Sequence, residues 1–372
     1  MTVFAVITGG GTAGHVLPAL AIAEALQDTG HAVDSLHYVG AQRGIESRLL
    51  PSTPYPHTLL DVVGFQRSFT RRNLGFATKL VRATLQAVAL LRRLRPRVVV
   101  SVGGYASMPS VLAARRLRIP IVVVSFDRRP GRASALSGRF AAAAAVAFDG
   151  SSLPRAEVTG APVRRVIRQV DRDTGRRPAR VALDLPDDRF LVTVIGGSLG
   201  SAVLNNAIVR YAAEHADDRR LAIYHVVGER FRDLVPERDG TGGVLHRVVG
   251  FEDRMAILWA ASDLVVGRGG ASTVAEIAVT GTPAILVPWA ASAEDHQTMN
   301  VRWLSDNGAA VLLPESHVGG LSDAIETLRA DPLRLATLGV QAWRLGEANR
   351  SGRLGQLIER VAAAGGPVGD QR

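Results

Sequence analysis

Twice along this chain a short apolar, β-branched run empties into a glycine-rich loop that opens a helical pattern. The first is Phe4–Thr8 before Gly9-Gly10-Gly11-Thr12-Ala13-Gly14-His15, and the second is Phe190–Ile195 before Gly196-Gly197-Ser198-Leu199-Gly200. Strand, glycine loop and helix in that order begin a βαβ unit, whose parallel strands are covered by helices on both faces. After the first start, Ser35–Val39, Val98–Val102, Ile121–Val124 and Ala144–Phe148 read as buried strands, with helical patterns near Val16–Gln27, Asn73–Leu94 and Ser107–Arg116 between them. After the second come strands at Leu221–Val227, Leu264–Val266 and Ala284–Val287, and helices from about Ala202, Arg254, Ser272 and Asp295. The chain of 372 residues is too long for one ordinary core. The expectation is therefore an α/β protein of two doubly wound, Rossmann-like domains facing a cleft. Their bounds fall at 1–163 and 164–343, with 344–372 a C-terminal helix and tail packing back across both. The Arg/Asp/Pro-rich stretch Asp171–Asp188 reads as exposed connection.

Composition narrows the chemistry. With no cysteine, disulfides, thiolate catalysis and Cys-based zinc sites are excluded, and a reducing cytoplasm is the natural compartment. Met1–Val6 runs straight into the first glycine loop, so no signal peptide is expected, and no segment approaches the roughly 20 apolar residues that span a bilayer. Net charge is +10, and Lys79 is the only lysine among 44 basic residues. Such a balance favours acidic partners: nucleotide phosphates, lipid pyrophosphates or anionic membrane. Nucleic acid is not expected, because aromatics are only 5% and do not interleave with the basic runs. The Phe65–Arg97 region mixes Phe65, Phe69, Leu80 and Val81 with Arg67, Arg71, Arg72, Lys79 and Arg82 at helical spacing. That mixture suits a patch resting on anionic lipid, and equally an amphipathic crossover helix with a solvated arginine face.

The first loop satisfies G-x-G-x-x-G, which alone is a weak dinucleotide signal. An NAD site also wants a carboxylate at the end of the second strand, and here that strand runs out as Val39-Gly40-Ala41-Gln42-Arg43. The loop still suits a phosphate or a reacting sugar, because glycines let backbone N–H groups approach a ligand at a helix start. His15, in the first helical turn, is placed to stay neutral near pH 7 and accept a proton; the alternative is a loop-capping histidine. Gly103-Gly104-Tyr105 lies at the carboxyl end of another strand, and Ser198 with its neighbouring amides suits a diphosphate unless it is only a tight turn. Gly267-Arg268-Gly269-Gly270-Ala271-Ser272-Thr273-Val274-Ala275-Glu276 is the most informative stretch. Its amides can meet phosphates, while a carboxylate one turn into the helix can accept from both hydroxyls of a ribose. The amide of Gln297 suits sugar hydroxyls, or is simply an N-terminal helix residue.

Together, Gly10 to His15, Gly103-Gly104-Tyr105, Gly160-Ala161-Pro162-Val163-Arg164, Gly196-Gly197-Ser198, Gly269 to Glu276 and His296-Gln297 follow the order and spacing of the MurG family. Arg43-Gly44-Ile45-Glu46 and Gly250-Phe251-Glu252-Asp253 add to the match, which spans nearly the whole chain. The chain thus resembles the GlcNAc transferases that convert lipid I to lipid II in peptidoglycan synthesis. The resemblance implies a GT-B fold, no cofactor, and an inverting, metal-independent transfer from UDP-GlcNAc to a lipid-linked acceptor. It also implies a peripheral position on the cytoplasmic face of the cell membrane. Carried over by motif, Thr12, Ala13 and Gly14 lie by the sugar, Tyr105 belongs to the substrate site, and Arg164 and Ser198 lie by the donor phosphates. The Phe251–Glu252 backbone meets the uracil, Ala271, Ser272, Thr273 and Glu276 hold diphosphate and ribose, and Gln297 reads the GlcNAc hydroxyls. His15 is the candidate base, and Arg164 or Arg268 stabilises the departing UDP. One departure stands out. Where the family has His-Glu-Gln-Asn, this chain reads Ser125-Phe126-Asp127-Arg128 before Arg129, so Asp127 becomes a second catalytic candidate. Either Asp127 or the arginines take over the lost contacts, or the acceptor differs, or activity is reduced. The competing classes are a paralogue with another acceptor, a UDP-GlcNAc 2-epimerase on the same fold, and a non-catalytic UDP-sugar-binding relative.

Overall fold

A computed structural model describes residues 3–11, 13–62, 76–197, 199–292 and 295–365. They form two compact units, one of Met1–Arg165 with Ala348–Arg372 and one of Val166–Glu347. Each unit is built on its own seven-stranded sheet.

The first sheet contains β1 (Ala5–Thr8), β2 (Leu36–Ala41), β3 (His57–Leu60), β4 (Val98–Ser101), β5 (Ile121–Ser125), β6 (Ala143–Val146) and β7 (Ala156–Val158). Its order is β3-β2-β1-β4-β5-β6-β7, every pair parallel. Val98–Val100 and Ile121–Val124 are buried along their whole length, which is why they read as unbroken β-branched runs. The second sheet contains β8 (Phe190–Ile195), β9 (Leu221–Val226), β10 (Arg238–Asp239), β11 (Leu245–Val249), β12 (Leu264–Gly267), β13 (Ala284–Leu286) and β14 (Val311–Leu312). Its order is β10-β11-β9-β8-β12-β13-β14, parallel except for the short edge pair β10–β11. Apart from the added edge strands, both orders are the doubly wound 3-2-1-4-5-6 arrangement.

At the end of the chain, the helix Pro332–Leu345 packs on the helix Ala271–Thr280 of the second unit. The helix Arg353–Ala364 packs on Ala13–Asp28 of the first. Strands β3, β7, β10, β11 and β14 were not foreseen; all are short, and all lie at or next to a sheet edge.

The stretch expected as exposed connection is a helix. Asp171 caps it, accepting from the N–H groups of Asp173 and Thr174, and the helix runs Arg172–Ala182 through Gly175 and Pro178. Low intrinsic propensity is overridden by tertiary contacts. Fully buried Arg180 donates to the carbonyls of Pro186, Asp187, Arg189 and Ala261 and pairs with Asp263 at 2.6 Å. Arg172 donates to Gly281 O and Ser262 O. The arginines are structural ties within the second unit.

Candidate active site

In the first unit the strand order reverses between β1 and β4, and ligands of open α/β sheets bind at the carboxyl ends beside such a point. Two glycine loops meet there. Gly104 has φ +75°, and a side chain on it would run into Gly10 O, so the loops pack backbone on backbone. Two side chains reaching in from the β2 end brace the first loop: the Tyr38 hydroxyl donates to Gly9 O at 2.8 Å, and Gly11 N–H donates to Glu46 Oε1 at 2.8 Å. Beside the loops lies a cavity of about 180 Å³ lined by His15, Gly104, Ser125, Phe126, Asp127 and Arg132.

His15 sits in the first turn of the helix Ala13–Asp28. Burial lowers its pKa below the usual 6.5, while the nearby charges of Asp127 and Glu46 act in the opposite direction. The net result is an imidazole that is neutral near pH 7 and has carboxylates at hand to steady it once protonated. Tyr105 is half-buried, its hydroxyl 3.4 Å from Arg43 O, and burial raises its pKa. Arg164, expected beside a phosphate, here bonds Glu24 at 2.8 Å.

In the second unit the order reverses between β8 and β12. Gly196 and Gly197 follow β8, and Arg268, Gly269 and Gly270 follow β12. The helix Ala271–Thr280 begins at Gly270 with no side-chain cap, so Ala271, Ser272 and Thr273 offer a first turn of amides that no side chain closes. One turn in, Glu276 accepts a 2.9 Å hydrogen bond from Trp259 Nε1. Gln297 places its Oε1 against Gly269 N–H and Trp289 N–H, leaving its NH₂ group for another partner. Arg268 is buried and donates to Val287 O, Ser201 Oγ and Glu315 Oε1 at 3.1, 2.7 and 2.6 Å. Phe251 is largely exposed. The Glu252 side chain is buried; burial pushes its pKa up, but hydrogen bonds from Arg254 and Tyr224 outweigh this and hold it at about 2.

Residues 5–146 match the model of the glycosyltransferase family 28 N-terminal domain, and residues 191–349 that of the family 28 C-terminal domain. A UDP-N-acetylglucosamine--N-acetylmuramyl-(pentapeptide) pyrophosphoryl-undecaprenol N-acetylglucosamine transferase from Clavibacter sepedonicus is 36% identical, with 98% of each chain covered. A transferase of the same name from Desulforudis audaxviator is 35% identical over 97% of this chain and 99% of its own. The chain belongs to the MurG family. The crystal structure of Acinetobacter baumannii MurG superposes with a TM-score of 0.74 at 26% identity, covering 96% of this chain and 99% of that one. A UDP-GlcNAc 2-epimerase from Neisseria meningitidis, at 12% identity and a TM-score of 0.67, shares the fold alone; it covers 98% of this chain and all of its own.

Of the residues carried over from the MurG family, His15 and Tyr105 gather around the glycine loops of the first unit with Asp127 beside them, and Ala13 and Gly14 open the helix that bears His15. Arg268, Ala271 to Thr273, Glu276 and Gln297 gather at the end of β12 in the second. Thr12 and Ser198 lie outside the described residues, as does Phe65–Gly75 of the expected lipid patch. Two partners of this machinery were not read as such in the sequence: Glu46 under the first loop, quoted there only as part of the family match, and Trp259 behind Glu276. Glu46 had a usable signal, since Gly40 and Gly44 flank it as residues too small to exclude a returning side chain. Trp259 had none, being one apolar residue of a buried helix.

Proposed function

We propose that this protein moves GlcNAc from UDP-GlcNAc to the acceptor hydroxyl of lipid I, with inversion at the anomeric carbon. His15 takes the hydroxyl proton as the new C1–O bond forms, and Asp127 steadies the resulting imidazolium. The C1–O bond to the diphosphate breaks with its electron pair, and UDP carries the charge away. In the second unit the first-turn amides of Ala271, Ser272 and Thr273 receive that charge, Ser198 lies by the diphosphate, and Arg268 holds the loop that leads to those amides; Arg164 is held by Glu24 in the first unit. Glu276 takes the ribose, the Phe251–Glu252 backbone the uracil, Gln297 the GlcNAc hydroxyls, and Thr12, Ala13, Gly14 and Tyr105 the sugar side of the first unit. The observation that carries this reading is His15, half-buried with its pKa lowered, in a cavity that Asp127 also lines at the sheet's switch point.

A second reading keeps the donor and changes the acceptor. It is favoured by Phe126 and Asp127, which line that cavity where the family carries a different sequence. Incubation with UDP-GlcNAc, with and without lipid I, separates the two by UDP release and product analysis. Turnover that requires lipid I supports the first reading; tight UDP binding without lipid I turnover supports the second.

Peripheral attachment to the cytoplasmic face of the membrane belongs to the same proposal, with no nucleic-acid partner. Among the described residues no helix is long and apolar enough to cross a membrane. The helix Phe76–Leu94 exposes Val81 and Leu85 at 59% and 64%, alongside exposed Arg82, Arg92 and Arg93. Apolar and cationic side chains exposed together suit an anionic lipid surface.

A further inference from the structure

Glu46 is fully buried, which is rare for a carboxylate without a cationic partner. Its Oε1 accepts from Gly11 N–H at 2.8 Å and from Ala41 N–H at 3.2 Å, whereas Oε2 makes no hydrogen bond. A side chain on Gly10 would collide with Oε1 and one on Gly44 with Oε2, so the surrounding backbone is shaped around this carboxylate. The Tyr38 hydroxyl grips the same loop two residues earlier, through Gly9 O. A lone hydrophobic anchor would have filled this space at lower desolvation cost, so the burial of a charge-bearing group has to be explained by what it holds.

We propose that Glu46 is a positioning residue for transfer, its carboxylate fixing the Gly9–Gly11 loop and with it the helix start that carries His15. The inference rests on the reading of His15 as the base. Asp127 after β5 and Arg132 line the cavity with His15, and Glu46 after β2 acts on His15 by its charge. Of these, Glu46 and Asp127 supply the negative charge that favours the imidazolium. Glu46 therefore acts twice, by geometry on the loop and by charge on the proton acceptor.

The test is steady-state transfer by Glu46→Gln and Glu46→Asp, with melting temperature measured alongside and His15→Asn run in parallel. Glu46→Gln is expected to lower kcat by about tenfold to a hundredfold, as for a reacting group displaced by a fraction of an ångström, with KM for UDP-GlcNAc unchanged. Its acid limb should also move to lower pH, because His15 has lost a charge that favours its protonated form. Glu46→Asp keeps the charge but not the reach, so kcat should fall while the acid limb stays in place. Wild-type kcat and an unmoved acid limb in Glu46→Gln, at a native melting temperature, overturn the proposal. Should Glu46→Gln fail to fold, wild-type kcat in Glu46→Asp overturns it alone. Wild-type turnover in His15→Asn instead sinks the assignment of the base and leaves the loop-holding role to be judged on the kcat of Glu46→Asp.

Discussion

Trp259 Nε1 donates to Glu276 Oε2 at 2.9 Å from a side chain with no solvent exposure. An indole N–H only donates, and a buried one needs a partner. The ring behind the helix Ala271–Thr280 therefore fixes one oxygen of the carboxylate proposed to take the ribose. Trp259→Phe keeps most of the ring's bulk and deletes the donor. KM for UDP-GlcNAc should rise on the order of tenfold, about the 1.4 kcal/mol expected for a hydrogen bond to a charged group, while kcat at saturation holds. Preference for UDP over its 2′-deoxy analogue should shrink, which simple loosening of the core would not produce. Calorimetric titration reads both, and a Glu276→Ala variant that binds UDP like the wild type would remove Glu276 from the ribose site.

Removing the proposed base should spare donor binding. His15→Asn is expected to lower kcat by roughly 10² to 10⁴, the usual span for general base catalysis, with UDP affinity unchanged. In the wild type, activity should persist to a pH below 6.5 before falling, because burial lowers the His15 pKa and only the neutral imidazole accepts a proton. An acid limb above pH 6.5 in kcat/KM would contradict this.

The second unit should lose stability in mild acid. His225 Nδ1 and His246 Nε2 are 3.2 Å apart, and His225 Nε2 is 3.1 Å from Asn205 Oδ1, all of it buried. Burial first, then His246, lowers His225 to about 3; burial first, then Arg238, lowers His246 to about 4. Both folded values lie below the unfolded 6.5, so the unfolded chain takes up protons first. Stability is then whole above pH 6.5 and falls towards pH 4, on the order of 1.4 kcal/mol per pH unit for each histidine. Urea midpoints that stay flat from pH 7 to pH 5 would exclude the effect.

Asp263 bonds Arg180 at 2.6 Å, Arg176 at 3.0 Å and Leu191 N–H at 2.8 Å. Asp263→Ala leaves the Arg180 charge buried without its counter-ion and should destabilise the protein by about 3–5 kcal/mol. A melting temperature equal to the wild type's would show that the carbonyls around Arg180 suffice.

Binding to anionic vesicles should be detectable at low salt and weaken as salt rises. Replacing Val81 and Leu85 by serine, or Arg82, Arg92 and Arg93 by glutamine, should each reduce pelleting; each arginine is worth about 1 kcal/mol near such a surface. No pelleting of the wild type at low salt would end this reading.

Much of the fold was legible because parallel strands buried on both faces leave a strong trace. Val98–Val100 and Ile121–Val124 are unbroken apolar runs, and each sheet begins with a strand feeding a glycine loop. The Arg172–Ala182 helix was not legible, since Gly175, Pro178 and a row of arginines argue locally against one. Its reasons lie at a distance, in Asp263, Ala261 and the carbonyls around Arg180. Likewise Asp127 could be seen only as an acid standing in a changed motif, until the cavity put it beside His15.

By itself the sequence determined where the backbone packs too tightly for a side chain, because only glycine serves there and it marks the chain visibly at Gly9–Gly11, Gly103–Gly104 and Gly269. It also determined the family, through the order of those marks. Only the tertiary structure decided which side chains stand behind the loops. Glu46 lies 35 positions from Gly11, and Trp259 lies 17 from Glu276. A hydrogen bond depends on separation in space, and separation along the chain carries no record of it.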